Sequence, residues 1–385
     1  MMRIGIDARF LTHPQAGGFK AYTQNLIAAL GRVDAENEYI LYVDRPPSGV
    51  SPPGPNFRIE VVSGETPLLG MPWREQVGLA RRASRDRLDL WHSLCLTAPL
   101  WLPCRSVVTI HDTIWTGNSR YGHAQKKGGR LRDLLGWYFR LVPRWAARRA
   151  DGVITVSQAA KDSIVTDVGV PAERIFVTLE AAGDHFRPVT EAEARAAVER
   201  EYGLTGGYVL ALGSADTRKN VPALVRAYAA LPRPLRELYP LAIVWASSVL
   251  ADDLTHEIEA LGVGDCVKFI RRVPDEGLVR LYNAASLFVF PSLQEGFGLP
   301  VLEAMACGTP VVASDNSSIP EVAGQAALLV SATDVPALSD AMSRVLTDER
   351  LRLQMKADGL AQAARFSWDK CARETAAVYQ RLGGL

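Results

Sequence analysis

Residues 291–314 read PSLQEGFGLPVLEAMACGTPVVAS and set two glutamates, Glu295 and Glu303, eight positions apart among glycines and apolar residues. A carboxylate only accepts hydrogen bonds, so a pair of them suits vicinal hydroxyl groups. Gly296 and Gly298 let backbone amides approach a ligand closely, and amides at the start of a helix attract an anion. The pattern predicts a loop over PSLQEGFG followed by a helix from Leu299. Glu295 then stands beside the anion, and Glu303 projects from the helix. An anion flanked by two diol-bearing rings is the outline of a nucleotide-sugar. The spacing alone is weak, because two solvated glutamates produce it often.

Other residues have the right types for the same chemistry. GSADTRKN (residues 213–220) ends a strand with the basic pair Arg218 and Lys219, suited to a phosphate or to plain surface exposure. Gly17-Gly18 opens a helix, as a simple turn pair also does. Thr109-Ile110-His111-Asp112 ends a strand, where a histidine is commonly structural and Asp112 suits a turn cap.

These residues need elements to hold them. Apolar runs fit strands at Arg3–Asp7, Tyr39–Val43, Phe57–Val62, Leu88–His92, Ser106–His111, Gly152–Val156 and Arg174–Thr178. A second series follows at Tyr208–Leu212, Leu241–Trp245, Val267–Ile270, Leu287–Phe290, Pro310–Ala313 and Ala326–Leu329. Helical patterns lie between them, including Phe19–Arg32, Gln158–Val168, Val221–Ala230, Leu278–Ala284 and Val301–Ala306. Alternation of this kind predicts parallel sheets covered on both faces, twice over. The expected fold is α/β: two doubly wound Rossmann-like domains facing across a cleft, with ligands at the carboxyl ends of the strands. Residues 1–187 form the first domain, 188–206 a linker and 207–365 the second. Neither GxGxxG nor GxxxxGK[ST] is present, so the phosphate recipe is a different one.

Composition narrows the class. Of 385 residues, 48% are hydrophobic and the net charge is +1, as in a globular protein without low-complexity tracts. The opening MMRIGIDARF suits a buried strand rather than a signal peptide or membrane span. Five cysteines without CxxC spacing suggest reduced thiols and a cytoplasmic setting. Charge is uneven: residues 1–187 hold 24 Lys and Arg against 18 Asp and Glu. Between Arg120 and Arg149, nine basic residues accompany the single acid Asp133, with Trp137, Tyr138, Phe139, Leu141 and Trp145 interleaved. Leu134, Tyr138, Leu141 and Trp145 fall on one helical stripe, expected to face the core. The basic residues around it, Lys126 and Lys127 included, suit an acceptor-side surface or an anionic membrane.

FPSLQEGFGLPVLEAMACGTPVVAS resembles the signature of the family-four retaining glycosyltransferases, which have the GT-B fold. The resemblance extends to Gly17-Gly18 with Tyr22, Asn25 and Leu26, to Thr109–Asp112, to DGVITVS (151–157) and to 176–188. It continues in GSADTRKN and VPDEGLVRLYNAASLFVFPS (273–292).

The resemblance implies transfer of a hexosyl group, mannose or glucose type, from a nucleoside-diphosphate sugar to a glycan or lipid-linked acceptor, with retention. It implies that His111 and Glu295 lie at the reacting centre. Gly17, Gly18, Arg218, Lys219, Gly296, Phe297, Gly298, Leu299 and Glu303 bind the donor, with Glu303 on the ribose. No metal and no cofactor are implied, and no nucleic-acid partner. Residues 366–385 are expected to form a helix that crosses back to the first domain, with Trp368, Ala372, Ala376 and Tyr379 as its buried stripe.

Two departures stand out. Ser214 replaces an arginine common in relatives, and Arg271-Arg272 replaces a glycine–aromatic pair near the base. The second leaves open altered base contacts or mere surface decoration. Competing readings are a non-catalytic or hydrolytic nucleotide-sugar-binding protein, a GT-B nucleotide-sugar epimerase, and a phosphorylase, which needs a longer chain.

Overall fold

The computed structural model describes residues 1–14, 17–64, 70–116, 130–246 and 252–384; for 130–135 and 252 the backbone alone is described. The chain forms two compact units, Met1–Glu180 with Ser367–Leu385, and Ala181–Phe366.

The first unit holds β1 (Arg3–Asp7), β2 (Glu38–Val43), β3 (Phe57–Val61), β4 (Leu90–Ser93), β5 (Arg105–Thr109), β6 (Gly152–Thr155) and β7 (Ile175–Val177). They pair in parallel in the order β3-β2-β1-β4-β5-β6-β7. Strands buried on both faces need apolar residues throughout, and β6 (GVIT) is buried along its whole length. Strand order reverses between β1 and β4, the place where such sheets open a crevice.

Two helices matter most in this unit. α1 (Gly18–Val33) follows β1, and α2 (Arg130–Arg149) precedes β6. Arg120, Lys126 and Lys127 lie outside the described residues, as do the side chains of Arg130, Arg132 and Leu134. The expected stripe on α2 is corrected at Trp145, which is 47% exposed. Burial shifts one residue along, to Val142, Ala146 and Ala150; Ala146 and Ala150 pack with Val108 and Val153. Two alanines let the helix lie close on the sheet, where an indole would hold it off.

The second unit holds β8 (Val209–Gly213), β9 (Leu241–Trp245), β10 (Val267–Ile270), β11 (Leu287–Phe290), β12 (Val311–Ser314) and β13 (Leu328–Val330). All are parallel, in the order β10-β9-β8-β11-β12-β13, with the reversal between β8 and β11. The stretch 188–206, read as a linker, contains helix α3 (Glu191–Tyr202), which belongs to this unit. It is followed by α4 (Val221–Ala229), α5 (Asp275–Ala284) and α6 (Leu299–Ala306). α3 packs on α5, where Arg280 meets Glu201 at 3.0 Å. Asn283 of α5 accepts from the Val189 amide (2.8 Å) and donates to the Arg187 carbonyl (3.1 Å). Those bonds tie the segment before α3 into the second unit.

The final helix, α7 (Trp368–Gly383), starts at a Ser367 cap that accepts from the Lys370 amide at 3.1 Å. It packs on α1 of the first unit and buries Trp368, Cys371, Ala372, Ala376, Tyr379 and Leu382. Tyr379 Oη lies 2.6 Å from His92 Nδ1, while His92 Nε2 lies 2.8 Å from Thr109 Oγ1. Burial, reinforced by the neighbouring His111, pushes His92 down to about 3, so it stays neutral at ordinary pH.

Candidate active site

The loops that leave β8 and β11, at the point where strand order reverses, carry most of the charged residues of interest. After β8, Ser214 Oγ accepts from the Asp216 amide (3.2 Å), and Asp216 Oδ1 accepts from the Arg218 amide (3.0 Å). Asn220, at φ 53°, donates to the carbonyls of Pro291 (3.0 Å) and Ala332 (2.7 Å). The Leu293 amide donates to the Arg218 carbonyl at 2.8 Å. Two loops some seventy residues apart in sequence thus become one rigid layer.

Within that layer Glu295 is bound by both basic residues. Lys219 Nζ donates to its Oε1 at 2.8 Å and Arg218 Nη1 lies 2.5 Å from its Oε2. Ser292 Oγ donates to Oε1 at 2.6 Å. Arg218 also reaches Asp216 Oδ2 (3.2 Å) and the Gln294 carbonyl (2.9 Å). Lys219 sits 4.9 Å over the Phe290 ring. The Glu295 side chain is only 11% exposed. Burial pushes its carboxyl upward, but Lys219 and Arg218 outweigh that and hold it below its ordinary value.

Gly296, Phe297 and Gly298 are all buried beneath this cluster. Ser318 Oγ donates to the carbonyl of Phe297 (2.7 Å) and lies 3.1 Å from that of Glu295, which helps to fix the loop. Gly298 caps α6 at φ 111°, a conformation that favours glycine, and a Cβ there would lie 2.6 Å from Ile319. Leu299 begins α6. Glu303, further along that helix, accepts from Tyr282 Oη at 3.2 Å. Arg271 and Arg272 are both exposed in the loop after β10, the latter at φ 55°.

A second set of residues lies in the first unit. Gly17 caps α1 at φ 138°, and nothing lies within 4 Å of a Cβ built on Gly17 or Gly18. Phe19 and Tyr22 of α1 meet the His111 ring edge-on at 5.1 and 4.6 Å between centroids. His111 lies two residues beyond the end of β5 and is buried, at 9% exposure. Asp112 Oδ1 accepts from the Ile114 amide at 3.0 Å, as a turn cap does.

Both nitrogens of His111 face acceptors: Nδ1 the Glu180 carboxyl at 3.1 Å, Nε2 the Leu94 carbonyl at 3.2 Å. A neutral imidazole has a single N–H. Making both bonds requires one extra proton, held by the ring or by the carboxyl. Glu180 was missed in the sequence because 69 positions separate it from His111. Ser292, by contrast, stands inside the glutamate motif, and its partnership with Glu295 had a local signal. Replacing Glu180 by alanine is expected to lower kcat by about a hundredfold. Nucleoside diphosphate affinity, measured by calorimetry, should stay unchanged; an equal loss in both would give Glu180 a purely structural role.

Comparison with known proteins bears on the whole chain. Residues 199–362 match the family described as "Glycosyl transferases group 1", and residues 16–178 that described as "Glycosyltransferase Family 4". D-inositol 3-phosphate glycosyltransferase of Salinispora arenicola is 31% identical over 404 residues, covering 94% of this chain and 87% of that protein. O-antigen chain mannosyltransferase B of Escherichia coli is 38% identical over 231 residues, 60% of either chain. The chain thus matches about three fifths of that relative's length. Serotype-specific mannosyltransferases of the same organism are matched over less than a third of theirs. Among solved structures, sucrose-phosphate synthase from Thermosynechococcus elongatus superposes with a TM-score of 0.77 at 23% identity, covering 99% of both chains. The chain belongs to the group 1, family-four glycosyltransferases, and its two parallel-sheet units are those of the GT-B fold.

Proposed function

We propose that this glycosyltransferase moves a hexosyl residue, mannose or glucose type, from a nucleoside-diphosphate sugar to a glycan or lipid-linked acceptor, with retention. The observation that carries the reading is the Arg218–Lys219–Glu295 cluster at the carboxyl end of the second sheet, with Glu303 on the adjoining helix. Two cations held in place by a displaceable carboxylate are suited to a diphosphate, whose charge grows as it leaves. The mannosyltransferase name of the 38% identical relative favours mannose.

In this scheme the acceptor hydroxyl oxygen bonds to the anomeric carbon on the face from which the diphosphate oxygen departs. The hydroxyl proton passes to that oxygen, so no enzyme nucleophile and no cofactor enter. Arg218 and Lys219 bind the diphosphate, Glu295 is released to orient the sugar, and Glu303 accepts from the ribose hydroxyls. Gly296, Phe297, Gly298 and Leu299 form the donor loop. Gly17 and Gly18 are assigned to donor phosphate, and His111 to the donor sugar.

Incubation with a panel of nucleoside-diphosphate hexoses should release nucleoside diphosphate, and NMR of the product should show the donor's anomeric configuration. An inverted product would refute retention. No release from any donor by folded protein would refute the donor class. Glu303→Gln is expected to weaken nucleoside diphosphate binding by about 1–3 kcal/mol, the loss of a charged acceptor. Glu295→Ala should lower turnover more than affinity. Small and equal effects would make both glutamates ordinary structural residues.

A further inference from the structure

Tyr282 stands outside the glutamate motif and reaches into it. It is fully buried on α5, and its ring meets Phe288 of β11 at 5.2 Å and Phe186 at 5.9 Å between centroids, both edge-on. Those contacts fix the ring and aim the hydroxyl at α6, where it donates to Glu303 Oε2 at 3.2 Å. The backbone of the same residue grips the far end of that helix. Thr309 Oγ1, just past α6, donates to the Tyr282 carbonyl at 2.7 Å. The neighbouring Leu281 carbonyl accepts from Tyr208 Oη at 2.6 Å, which pins α5 to the residue before β8.

A ring alone would fill this space. A buried hydroxyl loses its hydration, and that loss is offset only where a partner accepts its proton. Here the partner is Glu303. Burial first, and the Glu303 charge second, raise the Tyr282 hydroxyl well above its ordinary range, so it keeps its proton and stays a donor. A glutamate side chain turns about three bonds, and holding it in one rotamer costs free energy. Where a ligand must impose that order itself, affinity is lost. A carboxylate has acceptor sites for about four hydrogen bonds, so the one taken by Tyr282 leaves capacity for a pair of hydroxyls. We propose that Tyr282 is a positioning residue for donor recognition: its hydroxyl holds the Glu303 carboxylate in the orientation that takes the vicinal hydroxyls of the nucleoside ribose. The inference rests on the reading of Glu303 as a ribose ligand. Tyr282 is buried and acts only through that carboxylate.

The test is calorimetric titration of the four common ribonucleoside diphosphates, and of their 2′,3′-dideoxy counterparts, into wild type, Tyr282→Phe and Glu303→Gln. Wild type should bind a ribonucleoside diphosphate more tightly than its dideoxy form. Tyr282→Phe should weaken the ribose form about threefold to tenfold, the cost of ordering one side chain on binding, and leave the dideoxy form unchanged. The preference for ribose then narrows, and Glu303→Gln should narrow it further. If Tyr282→Phe melts far below wild type, fluorotyrosine at position 282 takes its place. That ring keeps its shape and its phenol is a stronger donor, so the preference should widen; a narrower one would overturn the proposal. Equal loss of both ligand forms in Tyr282→Phe, or an unchanged preference while Glu303→Gln still narrows it, overturns the role of Tyr282 alone. A preference that persists in Glu303→Gln, or is absent in wild type, overturns the ribose reading of Glu303 and the proposal with it. Binding of none of the ribonucleoside diphosphates would remove the donor class as well.

Discussion

Replacing Arg218 and Lys219 together by alanine is expected to cut kcat/KM between about a hundredfold and a few thousandfold, roughly 3–5 kcal/mol of transition-state stabilisation. The two side chains converge on one carboxylate at 2.5 and 2.8 Å, so their positive charge is already concentrated and oriented before any ligand arrives. A diphosphate gaining charge as it departs profits from such preorganised donors more than the intact donor does, so kcat should fall with kcat/KM. Normal turnover by the double variant would remove both residues from the reaction.

A pH measurement separates lost chemistry from lost structure. In the wild type Glu295 titrates below its ordinary value of 4.5, so its contribution to stability is fully present above 4.5 and is lost as pH falls through the lower folded value. Without the two cations the upward push of burial, the largest single influence, is opposed only by the Ser292 hydrogen bond. The unfolded carboxylate then releases its proton more readily than the folded one, and stability falls as pH rises past 4.5. Melting temperature should therefore increase on acidification from neutral toward pH 5 in the variant, opposite to the contribution of this group in the wild type.

The second large effect concerns the carboxyl terminus. Truncation after Ala364 should leave the first unit without a cooperative melting transition, although the residues removed lie nearly two hundred positions beyond β7, the nearest strand of its sheet in sequence. The cut removes buried Trp368, Cys371, Ala372, Ala376, Tyr379 and Leu382. Large apolar side chains contribute about 1.5–3 kcal/mol each on burial, and their sum approaches the whole 5–15 kcal/mol of an ordinary domain. It also strips His92 Nδ1 of Tyr379 and exposes the Tyr22 ring that Trp368 meets at 5.8 Å. The ion pair Arg32–Asp369, half exposed on both sides, adds little to this total. Tyr379→Phe is the milder check: it deletes one buried hydrogen bond and should cost about 1–3 kcal/mol. An unchanged melting curve after truncation would make α7 a dispensable tail.

Much of this architecture was readable from residue order, because its determinants are local. Each of the thirteen strands among the described residues corresponds to a short, largely apolar run, and a strand buried on both faces announces itself by being apolar throughout. The glutamate motif was legible for the same reason: Ser292, Glu295, Gly298 and Glu303 occupy one loop and one helix, and the φ of 111° at Gly298 is a local demand. What the chain does not carry locally is which groups meet across distance. That Lys219 and Glu295 neutralise each other depends on β8 and β11 lying side by side, a pairing between strands 78 positions apart at their start. That His111 faces Glu180 depends likewise on the sheet order around β5, β6 and β7. On α2, periodicity supplied the rows of side chains but not which row turns inward. The sheet beneath decided that, taking the small residues Ala146 and Ala150, which allow close approach, and leaving Trp145 outside. Periodicity and composition are properties of neighbours in sequence, whereas pairing, burial and charge compensation are properties of neighbours in space.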